Sequence, residues 1–129
     1  MRRGLFIFFI CWFTFNSYAQ NTILKDSLYH ALSITKKDTS KIRILLSLQK
    51  LYATQNFDSS IYYLTKAEPL VIKSNNSEFE YILNVGFAEY YYYNNDYTKA
   101  IAYVQKNKDI SKQANNMKWL AKSYNNLAA

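Results

Sequence analysis

The sequence predicts an all-α protein built from antiparallel helix hairpins. Three observations carry this. The 129 residues include only two Gly and one Pro, too few for a set of tight β-hairpins. Apolar residues recur at i, i+3 and i+4 spacing over most of the chain, the pattern of one helical face. Polar clusters rich in Asn interrupt those stripes at regular intervals. Half of the residues are hydrophobic and 18% are aromatic, which argues against intrinsic disorder. Two glycines cannot make a Gly-rich phosphate loop. One Cys and one His cannot build a typical structural zinc site or a disulfide framework. Composition alone therefore favours a helical binding or scaffold module, with no cofactor, no metal and no catalytic residues expected.

The first element is an address. Met1-Arg2-Arg3-Gly4 forms a short basic segment, and Leu5 to Phe15 is apolar apart from Thr14. Ser17-Tyr18-Ala19 places small residues at −3 and −1 before Gln20, so residues 1–19 are expected to be a signal peptide cleaved after Ala19. An apolar run of this length falls short of the roughly 20 residues that span a bilayer. Cys11 lies inside the run and serves as one more apolar residue. Export into the periplasm or envelope of a Gram-negative bacterium is the expected localisation. Removing Arg2 and Arg3 from the 16 basic side chains leaves 14 against 9 acidic ones, so the net charge falls from +7 to +5. The mature chain then has no cysteine to misoxidise outside the cytoplasm.

Residues 20–37 follow as a leading amphipathic helix through Ile23, Leu24, Leu28, Ala31 and Leu32. Asp38-Thr39-Ser40 offers cap oxygens for the next helix, with Ile42, Leu45, Leu48, Leu51 and Tyr52 on one stripe. Gln55-Asn56 breaks it. A second helix carries Ile61, Leu64, Ala67, Val71 and Ile72, and Pro69 is expected to kink it near Thr65–Pro69 by removing a backbone donor. Asn75-Asn76 ends that helix. Ser77 and Glu80 are predicted to form a capping box for the third helix, which runs through Ile82, Val85, Phe87, Ala88 and Tyr91. Asn94-Asn95-Asp96 makes the next turn, and Ala100, Ile101 and Val104 line the fourth helix as far as Asn115-Asn116. Met117 to Ala129 opens a fifth. Short polar connections imply antiparallel neighbours.

The chain is similar to itself at an offset of 40 residues. Asn75-Asn76 falls on Asn115-Asn116, Phe79 on Trp119, and Tyr52 on Tyr92. Phe57 falls on Tyr97, Ser60 on Ala100, Ile61 on Ile101, and Leu64 on Val104. Ile44, Asn84 and Tyr124 align, as do Leu48, Ala88 and Ala128. Such self-similarity marks an array in which each unit buries its apolar face against its neighbours. The units are residues 38–76, 77–116 and an incomplete 117–129.

These residues resemble the tetratricopeptide repeat family. The second unit carries the likeness in Asn84-x-x-Phe87-Ala88-x-x-Tyr91, then Asp96-Tyr97-Thr98-Lys99-Ala100-Ile101-x-x-Val104. The first unit matches through Leu51, Phe57, Ser60, Leu64 and Ala67, and the third through Tyr124, Leu127 and Ala128. The period of 40 exceeds the family's usual 34. Leu48 stands where a Gly or Ala is usual, and Asn107 replaces a second Ala. The resemblance implies a right-handed α-solenoid that binds a protein or peptide in a groove formed by the first helices of successive units. It places Gln49, Tyr52, Ile82, Val85, Glu89, Tyr92, Tyr93, Lys122 and Asn125 on that groove. Leu48, Leu51, Phe57, Ser60, Leu64, Ala67, Phe87, Ala88, Tyr91, Tyr97, Ala100, Val104, Leu127 and Ala128 become packing positions. Longer Tyr- and Asn-rich repeats of this kind resemble exported bacterial regulators. The chain is thus expected to be the N-terminal sensory or docking segment of a longer envelope protein, or a truncated reading frame. The alternative is a structural or dimerising stalk ahead of a histidine kinase or helix-turn-helix output domain, with no ligand in the groove. A homodimer stays open in both cases. Membrane contact is expected only through the signal peptide or a C-terminal region absent here.

His30, the one histidine of the chain, reads as a surface or boundary residue rather than a catalyst. Glu78 and Glu80 sit where carboxylates complement a helix N-terminus. The basic side chains are dispersed, and 13 of the 16 are Lys. Nucleic-acid readers lean on Arg for bidentate contacts, so no nucleic-acid partner is expected. N-terminal sequencing of the exported protein is expected to start at Gln20; retention of Met1 to Ala19 would exclude cleavage.

Overall fold

The computed structural model describes residues 21–128, with side chains as far as Leu127. The expected signal peptide, residues 1–19, lies outside the described residues, as do Gln20, Ala129 and the Ala128 side chain. The described residues are helical, with no strand among them. They belong to two compact units, which divide after Ile34. In the first unit a helix, α1, covers residues 21–34. The Ser33 hydroxyl donates to the His30 carbonyl at 2.7 Å within it.

The second unit holds five helices: α2 (Asp38–Tyr52), α3 (Phe57–Ser74), α4 (Ser77–Tyr93), α5 (Tyr97–Gln113) and α6 (Met117–Ala128). Each packs against its neighbours in the chain, and α2 also packs against α4. The hairpins are antiparallel. Lys73, late in α3, pairs with Asp38 at the start of α2 at 2.9 Å. The α4–α5 hairpin is registered by Tyr81 opposite Asn107, Phe87 opposite Tyr103, and Tyr91 near Lys99.

Asn and Asp side chains decide where most helices start. The Asn56 side chain accepts from the Ser59 amide at 2.8 Å, and that of Asp96 from the Lys99 amide at 3.2 Å. Asn116 accepts from the Trp119 amide at 3.1 Å. At α4 the cap is Asn76, which accepts from the Glu78 and Phe79 amides. Ser77 is already the first helical residue, so the expected Ser77–Glu80 capping box does not form. At α2 the capping residue is Lys37, with no side-chain cap bond. The expected cap oxygens of Asp38, Thr39 and Ser40 lie inside the helix instead. The residue before three of the caps adopts a positive φ: 48° at Asn75, 60° at Asn95 and 50° at Asn115. Asparagine tolerates this left-handed backbone better than most side chains. Helix α3 is continuous through Pro69 from Phe57 to Ser74.

The core consists of Ile42, Leu45, Leu46 and Leu48 from α2, and Tyr63, Leu64, Ala67 and Val71 from α3. Phe79, Tyr81, Leu83, Phe87 and Ala88 join from α4, and Ala100, Val104 and Ile110 from α5. Of the expected packing positions, Leu51, Tyr91 and Leu127 are half-buried. Phe57 and Tyr97 are exposed. Both open a helix next to a polar turn, where their rings project past the end of the core. Ile72 and Ile101 also point to solvent, although both lie on the expected stripes.

Gly86 marks a close crossing of α2, α3 and α4. A Cβ built there would lie 2.6 Å from the Leu64 Cδ2 atom and 3.1 Å from the Gln49 side chain. Leu64 is itself fully buried, so its methyl has little room to retreat. Ser60, Ser111 and Ser123 fill other close approaches with small, fully buried side chains. Leu64→Ala is expected to cost about 2–5 kcal/mol. Gly86→Val should cost roughly 1–3 kcal/mol by overpacking, despite its better helix propensity. Thermal unfolding of the two variants checks both, and unchanged melting would contradict this packing.

Candidate functional site

Helices α2, α4 and α6 run parallel to one another, with contacts advancing in step along each. The Arg43 guanidinium sits 5.1 Å from the centre of the Phe79 ring, and Gln49 meets Gly86 further along. Between α4 and α6, Tyr81 stacks on Trp119 with centroids 4.8 Å apart and an interplanar angle of 14°. The Tyr81 hydroxyl reaches the Trp119 carbonyl at 3.5 Å.

Beside that stack lies an open cleft of about 420 Å³, lined by Glu78, Tyr81, Ile82, Lys118, Trp119, Ala121, Lys122 and Asn125. Three of the expected groove residues, Ile82, Lys122 and Asn125, meet here. Ile82 is 41% exposed and so available to a partner. One turn further along, a smaller cavity of about 140 Å³ is lined by Val85, Ala88, Glu89, Val104, Asn107, Lys122, Ser123 and Asn126. It gathers Val85 and Glu89, and shares Lys122 with the cleft.

The other expected groove residues lie elsewhere. Gln49 is buried, and its amide donates to the Ser60 hydroxyl at 3.4 Å. The close approach of α2, α3 and α4 at Gly86 encloses it, so it is a core residue and lines no groove. Tyr52 is half-buried and stacks on Tyr63 at 5.8 Å. Tyr92 and Tyr93 are exposed and belong to a run of ring contacts at the helix ends: Phe57 to Tyr93, Tyr93 to Tyr92, and Tyr92 to Tyr97. Neither lines the cleft or the cavity. Tyr91, at the edge of the core, stacks on Tyr103 at 5.7 Å, with the Lys99 ammonium 5.0 Å from its ring centre.

Two buried amides stand out. Asn107 donates through Nδ2 to the Tyr81 carbonyl at 3.1 Å, while its Oδ1 has no partner. Asn84, also buried, has no partner for its Nδ2. Sequence reasoning placed neither at a site. The available signal was an Asn on the apolar stripe of α5, at a position where the resemblance calls for Ala. The Tyr81–Trp119 stack was missed too, because the offset of 40 pairs Trp119 with Phe79. Phe79 is buried under the Arg43 guanidinium instead.

The electrostatics single out Glu89. The residue is exposed overall, yet partial burial of its carboxyl group raises its pKa above the usual carboxylate value. Lys50 from α2 and Lys122 from α6 partly counter this. Neither lysine lies within ion-pair distance, 4.0 Å, of the carboxylate. Among the described residues, no group of three or more His, Cys, Asp or Glu could hold a metal ion. No described helix is long and apolar enough to cross a membrane.

No family model, curated protein or solved structure matches the chain.

A carboxylate with a raised folded-state pKa ionises first in the unfolded chain. Its burial therefore costs nothing below the carboxylate range, and stability is lost as pH rises through that range to the folded-state pKa. Glu89→Gln lacks this loss. Its melting temperature relative to the parent is expected to climb as pH rises from below to above the carboxylate range; a pH-independent difference would contradict it.

Proposed function

We propose that residues 38–129 are tetratricopeptide-like helix pairs with a period of 40, stacked as a right-handed solenoid. They would serve as an exported scaffold that binds a protein or peptide on the α2–α4–α6 side, the docking segment of a longer envelope protein. The spacing of the punctuation supports the repeat reading. The side-chain caps Asn56, Asn76, Asp96 and Asn116 recur every 20 residues, as do the left-handed residues Asn75, Asn95 and Asn115. Two such steps make one helix pair.

One observation carries the binding reading. The α4–α6 cleft combines an exposed aliphatic residue, Ile82, with the Tyr81–Trp119 stack and the flanking charges Glu78, Lys118 and Lys122. Apolar walls with a few convergent polar groups suit a peptide or partner helix. The aromatic pair supplies contact area at low rotamer cost.

A random peptide library panned against the protein tests the reading. Peptides selected on the parent are expected to lose at least about tenfold in affinity to Ile82→Glu, since a buried charge is strongly penalised. They should bind Ile72→Glu, altered at an exposed site on α3, as they bind the parent. Both variants should melt like the parent. Selected peptides indifferent to Ile82→Glu would remove the cleft as the docking site. A dimer in sedimentation that Ile82→Glu dissolves would favour the dimerising stalk instead.

A further inference from the structure

Tyr92 and Tyr93 end α4 and line neither the cleft nor the cavity, yet their rings sit in contact with others across the turn that follows. Tyr92 lies against Tyr97, the first residue of α5, with ring centroids 5.7 Å apart and an interplanar angle of 69°. The edge of one ring thus faces its partner, an arrangement that aromatic pairs favour. Tyr92 is 58% exposed and Tyr97 53%, so both rings are open to a reagent in solution. The turn holds them together. The Asn95 amide donates to the Tyr92 carbonyl at 3.0 Å, and the Asp96 amide to the Tyr91 carbonyl at 2.9 Å. The Tyr97 phenol donates to Asn95 Oδ1 at 3.0 Å, which tethers its ring to the turn.

Other phenol pairs lack one of these conditions. Tyr91 and Tyr103 stack, but the Lys99 and Lys106 ammonium groups lie 5.0 Å and 4.5 Å from their ring centres. A cation held by the π electrons of a ring opposes the loss of one of them. Tyr52 stacks on Tyr63, which is buried. Tyr62–Tyr63, Tyr90–Tyr91 and Tyr92–Tyr93 are chain neighbours, and adjacent side chains on a helix diverge. The Tyr92–Tyr97 pair meets all the conditions at once. It joins two helices, it is open to solvent on both sides, and no ammonium of the described residues lies over either ring.

We infer that Tyr92 and Tyr97 form a site of oxidative cross-linking, at which a haem peroxidase using hydrogen peroxide joins the two rings by a carbon–carbon bond. Each phenol gives up one electron and one proton, and the two phenoxyl radicals couple at ring carbons ortho to the oxygens. The hydrogens on those carbons then move to the oxygens, which restores both phenols. The two electrons and two protons released reduce one hydrogen peroxide to two waters. Exposed side chains change rotamer within ps–ns, so the rings reach bonding distance without a shift of either helix. Their proximity favours this coupling over coupling between two molecules. The bond ties the end of α4 to the start of α5. Residues 20–129 contain no cysteine, so no disulfide can serve there. This goes beyond peptide docking in the cleft and does not require it.

Treatment of the dilute protein with a haem peroxidase and hydrogen peroxide tests the inference. The monomer is expected to lose two hydrogens in mass and to gain the blue fluorescence of coupled phenols. Digestion before Asp96 and after Lys99 isolates residues 96–99, in which Tyr97 is the one tyrosine. That peptide is expected to be joined to the one that contains Tyr92, with fragmentation placing the bond on Tyr92. Tyr92→Phe and Tyr97→Phe should each lose the joined peptide. Tyr124→Phe, altered at an exposed position on α6, should keep it. The inference is overturned if residues 96–99 stay unlinked in the oxidised monomer, if the bond falls on Tyr90, Tyr91 or Tyr93, or if coupling occurs only between molecules. A joined peptide that persists in Tyr92→Phe would overturn it as well.

Discussion

Helices α2, α3 and α4 meet at residue 86 with no space for a side chain. The Leu64 methyl group and the Gln49 amide already occupy the volume that a Cβ would need. Close packing of this kind leaves little freedom to slide one helix along another, because every shift by a fraction of a turn drives atoms together. The crossing therefore sets the register of α2 against α4, which places Arg43 over Phe79 at one end. It also encloses Gln49 and Ser60, whose mutual hydrogen bond reduces the cost of burying two polar side chains.

Helices α4, α5 and α6 use a different solution. There the close approaches are filled by Ala88, Ala100, Ser111 and Ser123, and the buried amides are Asn84 and Asn107. Ser111 and Ser123 return their hydroxyl protons to carbonyls one turn back in their own helices. Asn107 instead reaches across to α4, which ties the two helices together through the Tyr81 carbonyl. Tyr81 then stacks on Trp119 of α6. One chain of contacts, Asn107 to Tyr81 to Trp119, so links the three helices that border the cleft and the cavity. The site owes its form to that linkage more than to any charge, since most of the lysines lie on exposed helix surfaces.

Much of the helical layout was legible from residue types and spacing. Asn56, Asp96 and Asn116 stand where a side-chain oxygen satisfies the first free amides of a helix, and Asn75 and Asn115 suit a left-handed turn. Leu48, Leu64, Ala67, Phe87, Ala88, Ala100 and Val104 lie on apolar stripes and are buried. The errors cluster where periodicity is ambiguous. A helical stripe is broad, so Ile72 and Ile101 satisfy it and still face water. Gln49 and Asn107 look like surface or groove residues by chemistry, yet each is enclosed by a neighbouring helix. Phe57 and Tyr97 sit one residue past a cap, where an aromatic ring extends beyond the core.

Local chemistry, then, was determined by the sequence itself: an all-helical chain, the breaks between its helices, and the apolar side of each. These depend on interactions within a few residues, namely capping, turn conformation and amphipathic spacing, and the amino-acid order contains them directly. The rotation of each helix about its axis and its offset against the next were decided only in the tertiary structure. They rest on whether a methyl group, an amide or nothing at all fits between two particular helices. Gly86 shows the difference. In the sequence it is an isolated glycine in a helical pattern; in the fold it is a position where side chains from two neighbouring helices fill the space a Cβ would need.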